Sequence, residues 1–289
     1  MRRPQHAAWQ ADGLQTFGVT IPCSDPGELP QSIASVSAVS VVRVSEPPPP
    51  FMRPFVLRPH PVTPVRETNL DLYLPGGNQP APAVVFVHGG PVPADRRPTP
   101  RDWPVYQGYG SAAAALGLVG ATFDHRFHDF DLIKQAGEDI AAAVDRVRAH
   151  PRVDPDRIAM WFYSGGGILM GNWLSPPPSW LRCVAASYPI CPTQEELGDL
   201  AISANEAMRN AGELPILLTR AGQEQPDYAE AVAVFVAAAA DAGANLEIID
   251  MPDGHHGFDM VDHTDQSKDA VERALGWVSS RLRHDGSTQ

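Results

Sequence analysis

From about residue 54 onward, two hydrophobic patterns alternate along the chain. Residues 68–74 (TNLDLYL) alternate apolar and polar, the mark of a half-buried strand. Residues 83–87 (AVVFV) are continuously apolar, as in a strand buried on both faces, and 118–123 read the same way. Residues 131–150 place Ile140, Val144 and Val147 at helical spacing, with Pro151 just beyond the end. Strands follow at 157–163 (RIAMWFY), 183–188, 215–220 and 246–251. Helices are expected over 165–174, over 228–242 with Gly243 as a left-handed cap, and over 268–282 with Val271, Leu275, Val278 and Leu282 on one face. Strands alternating with helices of this length predict βαβ units. The fold class is α/β, a mainly parallel central sheet with helices on both faces. In such sheets chemistry sits where the carboxyl ends of strands meet their loops.

The first fifty residues differ. They hold a Ser/Val run over 32–45, then Glu46 and four prolines at 47–50, a stiff polyproline stop. Residues 1–50 are expected to be an N-terminal extension, an added strand, an arm over the site or a partner contact. Residues 51–289 are expected to be the main domain. No internal repeat is present.

At 289 residues, with 43% hydrophobic and 19% charged residues, the chain has ordinary globular composition. A net charge of −12 without a basic run argues against nucleic acid as a partner. The longest apolar run, 231–240, is ten residues, about half of what crossing a membrane takes, so no membrane partner is expected. Two early arginines are followed by no apolar stretch, and the three cysteines (Cys23, Cys183, Cys191) form no disulfide or metal pattern. A cytoplasmic location is the expectation.

The strand over 157–163 runs straight into Ser164-Gly165-Gly166-Gly167 and then a predicted helix. A serine on a sharp strand-to-helix turn is the setting of a nucleophile elbow: its hydroxyl is lifted above the sheet, and the helix N-terminus favours developing negative charge. This text resembles the α/β-hydrolase superfamily, in particular its dienelactone-hydrolase-like and acetyl-esterase-like branches, over roughly residues 54–282. The family's elbow reads G-x-S-x-G; here it reads Phe162-Tyr163-Ser164-Gly165-Gly166, so the first glycine is replaced by phenylalanine. That bulk implies a helix standing further off or a distorted elbow.

The resemblance assigns further residues. His88-Gly89-Gly90-Pro91 follows the strand over 83–87, where the family places an oxyanion-hole segment. It implies donors at Gly165 and at Gly90 or Gly89, with Gly90 favoured, and His88 as a histidine that holds the loop. After the last strand comes Asp253-Gly254-His255-His256-Gly257-Phe258. The family's H-G-F selects His256 over His255 as general base. After the strand over 215–220, the family's A-G-x-D aligns Glu224 with the acid, with Asp227 as competitor. Serine, acid, histidine is the α/β-hydrolase chain order.

Other features are weaker. Asp124-His125-Arg126 stands where acetyl-esterase-like proteins carry D-Y-R, and there the Asp and Arg brace loops. His125, His128 and Asp129 are close in sequence, but no further ligand spacing makes a metal site of them. Neither Cys183 nor Cys191 stands on an elbow. A loop over 91–109 carrying Trp103, Tyr106 and Tyr109 is expected to wall the acyl side, with Tyr163 adding aromatic surface. Trp161 alternates into the core. Residues 190–214 are expected to form a small cap, which favours small or medium substrates.

The expected protein is therefore a serine carboxylesterase with Ser164, Glu224 and His256 as its triad, needing no metal or organic cofactor. Its expected partner is a small-molecule ester; a homodimer stays open. Two alternatives remain: a peptidase or amidase of the prolyl-oligopeptidase type, which shares the H-G-G-P text but has a propeller domain absent here, and a non-catalytic binding protein on the same fold.

Overall fold

The computed structural model describes residues 48–283. All but the last three positions of the 1–50 extension lie outside them. Eight strands form one sheet among the described residues: β1 (Val65–Arg66), β2 (Leu70–Tyr73), β3 (Ala81–Val87), β4 (Val119–Phe123), β5 (Val153–Tyr163), β6 (Leu181–Ser187), β7 (Ile216–Gln223) and β8 (Leu246–His255). Their order is β1-β2-β4-β3-β5-β6-β7-β8. β1 and β2 pair antiparallel, β2 pairs antiparallel with β4, and every pairing from β4 through β8 is parallel. The helices are α1 (Pro104–Ala115), α2 (Ile133–Ala149), α3 (Gly171–Leu174), α4 (Gln194–Leu197), α5 (Ala204–Ala207), α6 (Pro226–Ala242), α7 (Phe258–Val261) and α8 (Asp265–Arg283).

The period-two alternation of each strand sorts side chains into two layers. On β5, Ile158, Met160 and Phe162 enter the layer packed by α2, α3 and α6. Ala159, Trp161 and Tyr163 enter the layer packed by α1 and α8. Ile140, Val144 and Val147 of α2 and Val271, Leu275, Val278 and Leu282 of α8 are buried against their respective faces. α6 ends at Gly243, whose φ of 65° is the left-handed conformation a glycine adopts without Cβ strain.

Three expectations are corrected. The loop expected over 91–109 contains the start of α1, entered through Pro104 at its first position. The helix expected over 165–174 is a 3-10 helix over Ser164–Leu169 followed by the single turn of α3. The segment 190–214, expected as a cap, is the connection from β6 to β7. Its Leu197, Ala204, Ala207, Met208 and Ala211 are buried in the α2–α6 layer, so it completes the core on that face. Among the described residues, no helix is long and apolar enough to cross a membrane.

Candidate active site

β5 delivers Tyr163 in extended conformation and the next residue, Ser164, turns to φ 50°. That region is costly for a residue with a Cβ and persists only where the surroundings impose it. Here they do. A Cβ on Gly165 would collide with the backbone of Gly90, and one on Gly166 would come to 2.7 Å from the His88 carbonyl oxygen. The segment after β3 and the turn after β5 therefore touch backbone to backbone. Phe162 points to the opposite side, fully buried between β3 and β6 in the layer that also holds Ile168 and Leu169. The chain beyond Ser164 winds as a 3-10 helix rather than an α-helix.

The partners of Ser164 come from the last two strands. β8 continues past residue 251, the end expected from sequence, as far as His255, and its register pairs Gln223 with His255. One residue further along each strand stand Glu224 and His256. A register shift at Gly222, where a Cβ would meet the Pro252 backbone, aligns the two ends. Ser164 Oγ lies 2.7 Å from His256 Nε2, and His256 Nδ1 lies 2.6 Å from Glu224 Oε2. The Glu224 side chain is only 5% exposed, and its other oxygen accepts from the Gln225 N–H at 2.8 Å. His255 turns away: its N–H and ring both meet Asp262. Asp227 lies exposed in the first turn of α6.

The His88–Gly90 segment is held by hydrogen bonds that define two tautomers. His88 Nδ1 donates to the Gly89 carbonyl at 2.6 Å, and its Nε2 accepts from the His125 N–H at 3.4 Å. His125 stacks on His88 with ring centroids 3.6 Å apart. Its Nε2 donates to the His88 carbonyl at 3.1 Å, and its Nδ1 accepts from the Phe127 N–H. Each ring thus spends one nitrogen as donor and one as acceptor, which only neutral imidazole allows. Burial pushes His88 down to about 4; burial and the neighbouring His88 push His125 well below its ordinary value. His128 meets the Val92 carbonyl through Nδ1, and Arg126 is paired with Asp139. Asp124 receives the Arg101 side chain and N–H. Among the described residues, no cluster of His, Cys, Asp and Glu is arranged to hold a metal ion. The Gly89 N–H donates to the Tyr106 hydroxyl at 3.2 Å. The Gly165 N–H opens its helix, where no intrahelical acceptor exists.

Solved structures of several hydrolases align with about three quarters of this chain. A thermophilic esterase from Thermogutta terrifontis, Est2, aligns with TM-score 0.58 at 19% identity, over 75% of this chain and 90% of that one. The chain has the α/β-hydrolase fold. Acylaminoacyl peptidase from Pyrococcus horikoshii aligns with TM-score 0.58 at 16% identity, over 80% of this chain and 42% of that one. Dipeptidyl peptidase 4 from Porphyromonas gingivalis aligns with TM-score 0.59 at 16% identity, over 73% of this chain and 33% of that one. The chain thus spans about a third of the dipeptidyl peptidase and all but a tenth of the esterase. The Thermogutta esterase also aligns in a form phosphorylated by paraoxon, with TM-score 0.57 at 19% identity, over 74% of this chain and 87% of that one. No family model and no curated protein matches the chain.

Within this hydrolase fold, the aromatic residues expected to wall a pocket are packed inside. Tyr163 is 1% exposed, stacked on Trp161 and edge-on to Tyr106. Tyr106 and Trp103 are buried as well, and Trp103 Nε1 donates to the Pro98 carbonyl. These three side chains brace the site from behind, because the strand-end alternation turns Tyr163 into the α1 layer. A cavity of about 390 Å³ is lined by Glu224 together with Tyr188, Pro189, Ala221, Val232 and Met251.

Sequence reasoning missed the groups that surround His256. The Tyr188 ring stands 4.9 Å from the imidazole and the Tyr228 ring 5.8 Å, so the histidine is flanked by two phenols. Beyond Tyr188, Asp259, fully buried, accepts from the hydroxyls of Tyr188 at 2.8 Å and Tyr109 at 2.9 Å. Burial pushes its carboxyl up to about 6 against the lowering pull of those donors. The available signal was an aspartate three residues after His256, between Phe258 and Met260 in an otherwise apolar stretch.

Proposed function

We propose that this chain is a serine hydrolase that cleaves carboxylic esters through an acyl-enzyme on Ser164. The observation that carries the reading is the unbroken hydrogen-bond line from Ser164 Oγ through His256 to Glu224, with the serine on a positive-φ turn. In this reading His256 takes the Ser164 proton as the hydroxyl attacks the ester carbonyl, then returns it to the departing alcohol. Glu224 orients the imidazole through Nδ1 and balances its transient charge. The developing oxyanion is received by the N–H groups of Gly165 and Gly90, because that of Gly89 is engaged by Tyr106. Water then takes the place of the alcohol and releases the acid. A size limit argued from a cap has no support, since 190–214 is a core connection.

The test is a fluorophosphonate probe with the adduct mapped by mass spectrometry. The paraoxon-derived form of the Thermogutta esterase makes an organophosphorus reagent a fitting choice. The expected result is one adduct, on Ser164, absent in Ser164→Ala. A folded protein that takes up no probe would overturn the reading and leave a binding protein on a hydrolase fold.

A peptidase reading has one observation in its favour. The two peptidases align as well as the esterase does, at TM-scores of 0.58 and 0.59. Rates on matched ester and amide substrates of the same acyl group separate the two.

A further inference from the structure

We propose that Asp259 is a positioning residue for His256: its buried carboxylate, gripped by the Tyr109 and Tyr188 hydroxyls, fixes the Tyr188 ring against the imidazole and favours the imidazolium formed when Ser164 gives up its proton. The inference rests on the serine-hydrolase reading for its catalytic meaning. Its physical core, a coupling between Asp259 and His256, does not.

A fully buried carboxylate is expensive and is ordinarily tied to a cation. The other fully buried aspartate, Asp71, follows that rule, with Arg66 and Arg101 on its oxygens. Among the described residues, Asp259 has no arginine or lysine paired with it. Its oxygens accept from two phenols, and the cation that bears on it is His256 once protonated. A well-packed apolar residue in this place would spare the fold that cost. The carboxylate therefore fits a role that appears when the neighbouring imidazole is charged.

The backbone points the same way. Among the described residues, two non-glycine residues have positive φ, Ser164 at 50° and Tyr188 at 40°. Strain at Tyr188 is held by what its ring and hydroxyl touch: His256 at 4.9 Å, the Phe258 ring edge-on at 5.3 Å, and Asp259. A phenol face beside an imidazolium attracts it, and a hydroxyl that donates to a carboxylate makes that ring richer in electrons.

The network extends to the Gly89 segment and to the residue before Ser164. Tyr109, one turn beyond Tyr106 on α1, donates to Asp259, while Tyr106 accepts from the Gly89 N–H. Tyr163, next to Ser164, packs 5.0 Å from Tyr109 and 6.2 Å from Tyr188. The Asp259 carbonyl accepts from the Val56 N–H at 2.8 Å. The titratable groups facing Asp259 are thus Tyr106, Tyr109, Tyr163, Tyr188 and His256; those facing His256 are Glu224, Tyr188, Tyr228 and Asp259.

The test uses the full chain with Asp259→Asn and, as a second variant that keeps the carboxylate, Tyr188→Phe. The His256 imidazole is titrated by NMR, and the rate of fluorophosphonate inactivation is followed from about pH 5 to about pH 9. In Asp259→Asn, the His256 midpoint is expected to fall by about half a pH unit or more. The acid limb of inactivation should move with it, and the plateau rate should drop about tenfold. Tyr188→Phe is expected to shift both in the same direction by less. An unmoved His256 midpoint in folded variants overturns the proposal, including the case where the plateau alone falls, which would make Asp259 a packing residue. A shifted His256 midpoint in Asp259→Asn, together with folded wild-type protein that takes up no probe, would sink the hydrolase reading and leave the coupling standing.

Discussion

At the scale of single residues, the site depends on a few atoms whose neighbours leave them little choice. Glu224 is set against His256 Nδ1 at 2.6 Å with its side chain almost fully covered. Glu224→Gln keeps the shape and removes the charge that balances the imidazolium. It should lower kcat about 10³-fold or more, with KM little changed, in a steady-state assay on a chromogenic ester. Asp227→Asn is the matched control. That side chain is exposed in the first turn of α6, and its kcat should stay within about twofold of the wild type. Both results together would identify the acid, which A-G-x-D alignment alone left between two residues. Among the described residues, backbone strain is concentrated at Ser164 and Tyr188, and neither strain is visible in a sequence. A serine before three glycines announces a turn, but Tyr188 has no glycine beside it.

Elements were legible to the degree that their hydrophobic period was regular. α2 and α8 show their buried faces in the spacing of Ile140, Val144 and Val147 and of Val271, Leu275, Val278 and Leu282. α1 was hidden for a physical reason. It contains Gly108 and Gly110, which lower helix propensity and read as loop. Gly110 is needed there because a Cβ would collide with the Tyr73 ring of β2, and Gly120 on β4 lies against the Gly110 backbone. Close packing between elements, which local propensity does not encode, decided the matter. The cap of α6 is the simpler case. Gly243→Ala places a Cβ at φ 65° and should destabilise the fold by about 1 kcal/mol, read as a lower urea midpoint with an unchanged slope.

Over the whole molecule, the buried ionisable groups set how stability responds to pH. His88 and His125 are held neutral by burial, His88 down to about 4 from an ordinary 6.5. In the unfolded chain they take up protons that the folded chain refuses. Their contribution is therefore complete above about pH 6.5 and is lost as pH falls toward 4, on the order of 3 kcal/mol for His88. Asp259 acts oppositely. Its folded carboxyl is raised from 3.8 to about 6, so its contribution is complete at low pH and is lost as pH rises through 6. Two histidines outweigh one aspartate, and urea unfolding should show lower stability at about pH 4.5 than at about pH 7. Asp259→Asn removes the opposing group and should make that loss steeper. An acid-insensitive midpoint would mean that the stacked histidine pair is not held neutral.

The local pattern of the chain by itself determined that strands and helices alternate, that the sheet is mainly parallel, and that Ser164, His88-Gly89-Gly90, Glu224 and His256 each follow their own strand. Those are properties of short windows: apolar period, glycine runs and the residues just after a strand. Tertiary structure alone decided what lies beside what. The pairing of Gln223 with His255 brings Glu224 to His256, and β5 alternation turns Tyr163 and Phe162 into opposite core layers. The fold also moved 190–214 from a cap to the core and gathered Tyr109, Tyr188 and Asp259 behind the histidine. The reason is range. Register, layer and burial arise between segments tens to more than a hundred residues apart, and Asp259 meets Tyr109 across 150 positions of chain.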